Sequence, residues 1–92
     1  MKNRIYWVYI LYCENHCFYT GYTVNLEKRY EAHCNGTASK YTRSFKPLYI
    51  AQSWRIEGSK ATAMLIERQI KKLPRKEKVK LIANPEKLTK TN

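Results

Sequence analysis

Five side chains of this 92-residue chain are of types that can share one reaction: Tyr9, Tyr19, Arg29, His33 and Glu67. Arginine grips a phosphate through a planar fork of N–H donors. A carboxylate is a hard ligand for a divalent cation. Histidine can orient a phosphate or relay a proton, and a tyrosine can orient or deprotonate a water. A phenol titrates near pH 10, so it needs help to act as a base at neutrality. Arg29 and His33 are four residues apart and share one side of a helix. Each also has a plainer role: a solvated helix flank for Arg29 and His33, core packing for the tyrosines, a lysine partner for Glu67.

Bulk charge points the same way. Eighteen Lys and Arg oppose seven acidic residues, all of them glutamates, for a net charge of +11. A surplus of this size in a small domain suits a polyanionic partner, above all nucleic acid. No apolar run approaches the roughly 18 residues of a membrane span, and no secretory leader is evident. The expected location is cytoplasmic, with no membrane partner. Cys13, Cys17 and Cys34 lack paired spacing and are expected as reduced thiols. A zinc site drawn through them with His16 and His33 lacks a second close cysteine pair.

The elements that must position the five side chains are legible. Residues 5–13 read IYWVYILYC, apolar or aromatic on both faces, as in a strand covered on both sides. ENHC makes a turn, and FYTGYT at 18–23 a second strand. Asn25 caps a helix that ends before Gly36, with Leu26, Tyr30 and Cys34 as its apolar stripe. A polar, basic loop follows. Residues 48–55 form a third strand, and Ser59 caps a helix over 60–73 that Pro74 stops. A short basic helix runs to Ala83. The fold expected is α+β, a small three-stranded antiparallel sheet in the order β-β-α-β-α-α. Residues 1–83 form the domain and 84–92 a polar, fraying tail.

Taken together, WVY at 7–9, YTG at 19–21, Asn25-Leu26, Arg29, His33 and the later Glu67 resemble the GIY-YIG nuclease family. YTGYTVNLEKR, SKYTR and IERQIKKL are most similar to its stand-alone, single-domain bacterial members. The resemblance implies metal-assisted phosphodiester hydrolysis with one divalent ion, Mg²⁺ or Mn²⁺, and a nucleic-acid substrate, DNA ahead of RNA. It assigns Glu67 to the metal, Arg29 to the scissile phosphate, and Tyr9 or Tyr19 to the attacking water. Arg29 and the metal would favour the phenolate. Two positions depart from the pattern: Trp7 replaces the name-giving glycine, and Tyr22 stands where many active members carry lysine. The alternative is a non-catalytic nucleic-acid-binding module on the same fold. With no separate targeting domain in 92 residues, selectivity would rest on substrate shape or a partner protein.

Two further expectations concern placement. Lys40, Tyr41, Arg43 and Lys46 in the 37–46 loop are candidates to contact nucleic acid, with Tyr41 stacking on a base. The hairpin register decides whether the tyrosines can cooperate, because side chains alternate faces along a strand. A four-residue loop puts Tyr9 and Tyr19 on opposite faces. A five-residue loop pairs Tyr9 with Gly21, puts both tyrosines on one face and leaves room beside Tyr9 for a phosphate. A shared site demands the second register, with Arg29, His33 and Glu67 converging on that face.

Overall fold

The structure, a computed structural model, describes residues 4–89. Strands β1 (Arg4–Cys13), β2 (Phe18–Thr23) and β3 (Pro47–Gly58) form an antiparallel sheet in the order β2-β1-β3. The helices are α1 (Leu26–Cys34), α2 (Lys40–Ser44), α3 (Lys60–Lys71) and α4 (Arg75–Ala83). The α+β order matches expectation with one addition, α2.

The two-faced apolarity of β1 has its reason in the layers. On one face Tyr6, Val8 and Ile10 pack with Trp54 of β3, Ala63, Ile66 and Ile70 of α3, and Leu81 of α4. On the other, Tyr9, Leu11 and Cys13 pack with Tyr19, Leu26, Tyr30, Tyr41 and Ile50. Helix starts are set by side-chain oxygens: Asn25 accepts from the Lys28 N–H, Ser39 from Thr42 and Ser59 from Thr62. Each satisfies one of the N–H groups a first turn leaves without a partner.

The sequence suggests an unbroken loop over 37–46; the structure folds part of it into α2. Five residues with no apolar stripe give no periodic signal, and only the Ser39 cap hints at the helix. The tail differs as well. Pro85–Thr89 form a 3₁₀ helix, with Leu88 against the larger core and the Pro85 carbonyl accepting from the Trp54 indole at 2.8 Å. A buried Trp N–H needs an acceptor, and Pro85 supplies it. Residues 90–92 lie outside the described residues.

The register is the one a shared site requires. Tyr9 pairs with Gly21, Leu11 with Tyr19 and Tyr12 with Phe18. The Cys13 N–H donates to the Cys17 carbonyl, and His16 closes the turn at φ 66°, in the left-handed region.

Candidate active site

Tyr9, Tyr19, Gly21, Arg29 and Glu67 line one cavity of about 500 Å³, together with Arg4, Tyr6, Tyr22 and Lys60. It lies along the free edge of β2 and takes side chains from both faces of the sheet: Tyr9 and Tyr19 from one, Tyr6 and Tyr22 from the other. Convergence on a single face is thus only partly realised. Tyr9, Tyr19 and α1 share a face, but Glu67 rides on α3, which covers the opposite one. The carboxylate meets the tyrosines at the edge of β2. This is possible because β2 is an edge strand, with no strand beyond it among the described residues.

Glu67 is largely shielded, its side chain 18% exposed, and its Oε2 is 3.3 Å from Lys71 Nζ. The plain reading of Glu67 as a lysine partner therefore also holds, although an i,i+4 pair of this kind stabilises by only about 0.3–0.5 kcal/mol. A ligand of higher charge can displace that lysine. Among the described residues no three of His, Cys, Asp and Glu cluster. A cation at Glu67 would take one protein carboxylate and complete its shell with water and phosphate oxygens. Mg²⁺ and Mn²⁺ accept such a site, since Mg²⁺ keeps several of its waters. The donor set fits a single hard ion.

His33 is 1% exposed and held at both ring nitrogens. Nε2 is 2.8 Å from Tyr9 Oη, and Nδ1 is 2.7 Å from Thr42 Oγ1, which is itself 2.8 Å from Ser39 Oγ. The ring also sits edge-on to both tyrosines, 5.7 Å from Tyr9 and 5.1 Å from Tyr19. Burial, with Arg29 adding its positive charge, lowers the His33 pKa to about 4. The imidazole is neutral at pH 7, so one nitrogen donates and the other accepts. Two proton arrangements satisfy the chain. In one, Tyr9 donates to Nε2 and Nδ1–H donates to Thr42. In the other, Thr42 donates to Nδ1 and Nε2–H donates to the Tyr9 oxygen.

Burial also holds the Tyr9 phenol well above its ordinary range; Tyr19 and Glu67 add to this and Arg29 opposes it. Arg29 acts toward the phenolate, as expected of it, but desolvation outweighs one exposed guanidinium. Gly21 departs from expectation. A Cβ there would lie 2.6 Å from Tyr9 Oη and 2.8 Å from its Cζ. The space directly over Gly21 is filled by the Tyr9 phenol itself, laid across it towards His33, so a phosphate would meet Tyr9 from the cavity that both residues line.

The loop candidates divide. Lys40 and Arg43 are exposed on α2. Lys46 Nζ donates to the Cys34 carbonyl at 3.1 Å, joining α1 to the start of β3. Tyr41 stacks on Tyr19 at 5.7 Å, meets Phe45 at 5.4 Å and accepts from Asn15 Nδ2. Its ring is engaged within the protein, and stacking on a base would require it to leave. Thr42 and Ser39 were not legible as site residues. Their one signal was the S-x-x-T spacing, which reads first as a helix cap.

A tyrosine pair, an arginine and a carboxylate around one cavity beside a basic surface define a nuclease-like domain. Comparison with known proteins agrees. The GIY-YIG catalytic domain matches residues 5–80, and the chain belongs to the GIY-YIG family. A UPF0213 protein of Oceanobacillus iheyensis is 46% identical over 80 residues, covering 84% of this chain and 88% of its own. One from Clostridium perfringens is 45% identical over 78 residues, covering 85% and 83%. The solution NMR structure of the UPF0213 protein BH0048 from Bacillus halodurans superposes with a TM-score of 0.55 at 35% identity, covering 94% of both chains. The chain matches small members of the family over most of their own length.

Proposed function

We propose that this domain hydrolyses phosphodiester bonds in nucleic acid, DNA ahead of RNA, with one Mg²⁺ or Mn²⁺ ion. The observation that carries this reading is the joint lining of a single cavity by Tyr9, Tyr19, Arg29 and Glu67. Glu67 holds the ion, which when bound withdraws charge from the phosphate. Arg29 grips the scissile phosphate. Tyr9 orients the attacking water through its hydroxyl, which His33 Nε2 holds in place, accepting when Nδ1–H is held by Thr42. The P–O bond opposite the water breaks, the water's proton passes to solvent, and the leaving sugar oxygen takes a proton from solvent, giving a phosphomonoester and a free sugar hydroxyl. Tyr19 stands edge-on to His33 and keeps that ring in place.

A binding module without catalysis is the second reading, favoured by the Lys71 ammonium already seated on Glu67. The discriminating experiment is a cleavage panel of single-stranded, duplex and branched DNA with Mg²⁺ or Mn²⁺, run on the wild type, Glu67→Ala and Arg29→Ala. Glu67→Ala should abolish cleavage and retain low-salt binding. Arg29→Ala should cut cleavage strongly and binding modestly, one phosphate contact among several being lost. Equal cleavage by all three would sink the assignment. Binding without cleavage in every case would favour the module.

A further inference from the structure

At the hairpin end of the sheet, away from the cavity at Glu67, lies a second cleft of about 290 Å³. It is lined by Tyr12, Phe18, Tyr49, Ala51, Val79 and Ile82. Three aromatic rings build it. Tyr12 stacks on Tyr49 with centroids 5.3 Å apart and planes at 29°, and tilts against Phe18 at 5.6 Å. The Arg75 guanidinium lies 4.7 Å over the Phe18 ring. Tyr49 remains 54% exposed and Val79 48%. None of these residues takes part in the chemistry at Glu67.

The geometry points to a nucleobase-binding site: the cleft accepts one unpaired base of the nucleic acid, stacked on Tyr49, while the flanking phosphates lie on α4. Three observations favour this occupant. The cleft holds a stacked ring pair, Tyr12 and Tyr49, of which Tyr49 stays exposed, the form that binds a base without regard to its identity. A cation stands at its edge: Arg75 lies over Phe18, Lys76 is exposed next to it at the start of α4, and the helix's acid Glu77 is already paired with Lys80 at 3.5 Å. The cleft is also narrow, near the low end of the roughly 300–1,000 Å³ of small-ligand sites. An apolar protein partner would need a wider patch than this cleft.

Position adds a substrate class, a step that rests on the nuclease reading. Tyr6 lines the first cavity and Tyr12 the second, about 20 Å apart along β1 at roughly 3.3 Å per residue. A substrate with a single-stranded segment that far from the cut engages both. A blunt duplex, with every base paired, engages only the first.

The test measures binding in EDTA, so it does not depend on cleavage. Fluorescein-labelled oligothymidylate and a blunt duplex of equal length are titrated into the wild type, Tyr49→Ala and Tyr49→Phe. Tyr49 is exposed, so both variants should fold. Tyr49→Ala should weaken oligothymidylate binding about tenfold and leave the duplex unchanged, with Tyr49→Phe close to wild type. Equal oligothymidylate affinity in Tyr49→Ala overturns the base site. A uniform loss on both ligands overturns it as well, since it would mark a phosphate contact. So does a wild-type dimer in sedimentation equilibrium that Tyr49→Ala dissolves, because a second copy would then cover the cleft. If the Tyr49→Ala loss appears but no substrate is ever cut, the base site stands and only the nuclease reading fails.

Discussion

The layers on the two sides of β1 are held together by different forces. The α3–α4 side is mainly apolar, with Val8, Ile10, Ile66 and Ile70 almost wholly buried around Trp54. The α1–α2 side has fewer aliphatic residues. In their place is a polar chain, Tyr9–His33–Thr42–Ser39, buried at its centre and closed at both ring nitrogens of His33. An apolar layer tolerates small adjustments, because dispersion and burial are non-directional. A buried polar chain tolerates few, because each unmade hydrogen bond costs a desolvated group. The candidate chemistry sits on the layer that is stiff by hydrogen bonding and borrows one carboxylate from the layer that is stiff by packing.

The comparison can be broken from either side. Ile70→Ala on the apolar side should cost about 2–5 kcal/mol in urea unfolding, through lost burial and a cavity. Activity per folded molecule should be little changed. If activity fell as steeply as stability, the two layers would not be separable.

Acid should strike the polar side next. The folded His33 pKa, about 4, lies below the 6.5 of a free imidazole, so the unfolded chain binds the proton more readily. This contribution is complete above pH 6.5 and is lost as pH falls towards 4, about 3 kcal/mol in all. Urea titrations at pH 7 and pH 4 measure it, and His33→Gln should lose that part of the pH dependence. An unaltered slope in the variant would place the acid sensitivity elsewhere.

Gly21→Ala should cost about 1–3 kcal/mol by driving a Cβ into the Tyr9 hydroxyl and straining its bond to His33. Its effect on cleavage should exceed that of Ile70→Ala even though the fold is better preserved, which sharpens the contrast between layers. Tyr9→Phe should have the smallest effect on stability, about 1 kcal/mol for one hydrogen bond. The effect on cleavage should be large, if the oxygen does the work assigned to it. Thermal unfolding beside a cleavage assay measures both variants.

How much of this could be read in advance follows from the range of each interaction. Strand and helix positions were legible because they depend on local patterns: the apolar run of β1, the caps at Asn25 and Ser59, the stop at Pro74. The site residues were legible as types at given spacings and by resemblance to a family. Register was not legible from alternation, since a strand apolar on both faces fits either pairing equally well. Nor was α2, too short to show a period. The role of Gly21 appears only when Tyr9 lies across it, and the partner of the Trp54 indole is 31 residues away in the chain. Local patterning was thus enough to set the elements and their order. That Glu67 meets the tyrosines from the opposite layer, around an open sheet edge, depended on how α3 packs, and no spacing along the chain encodes a distance across it.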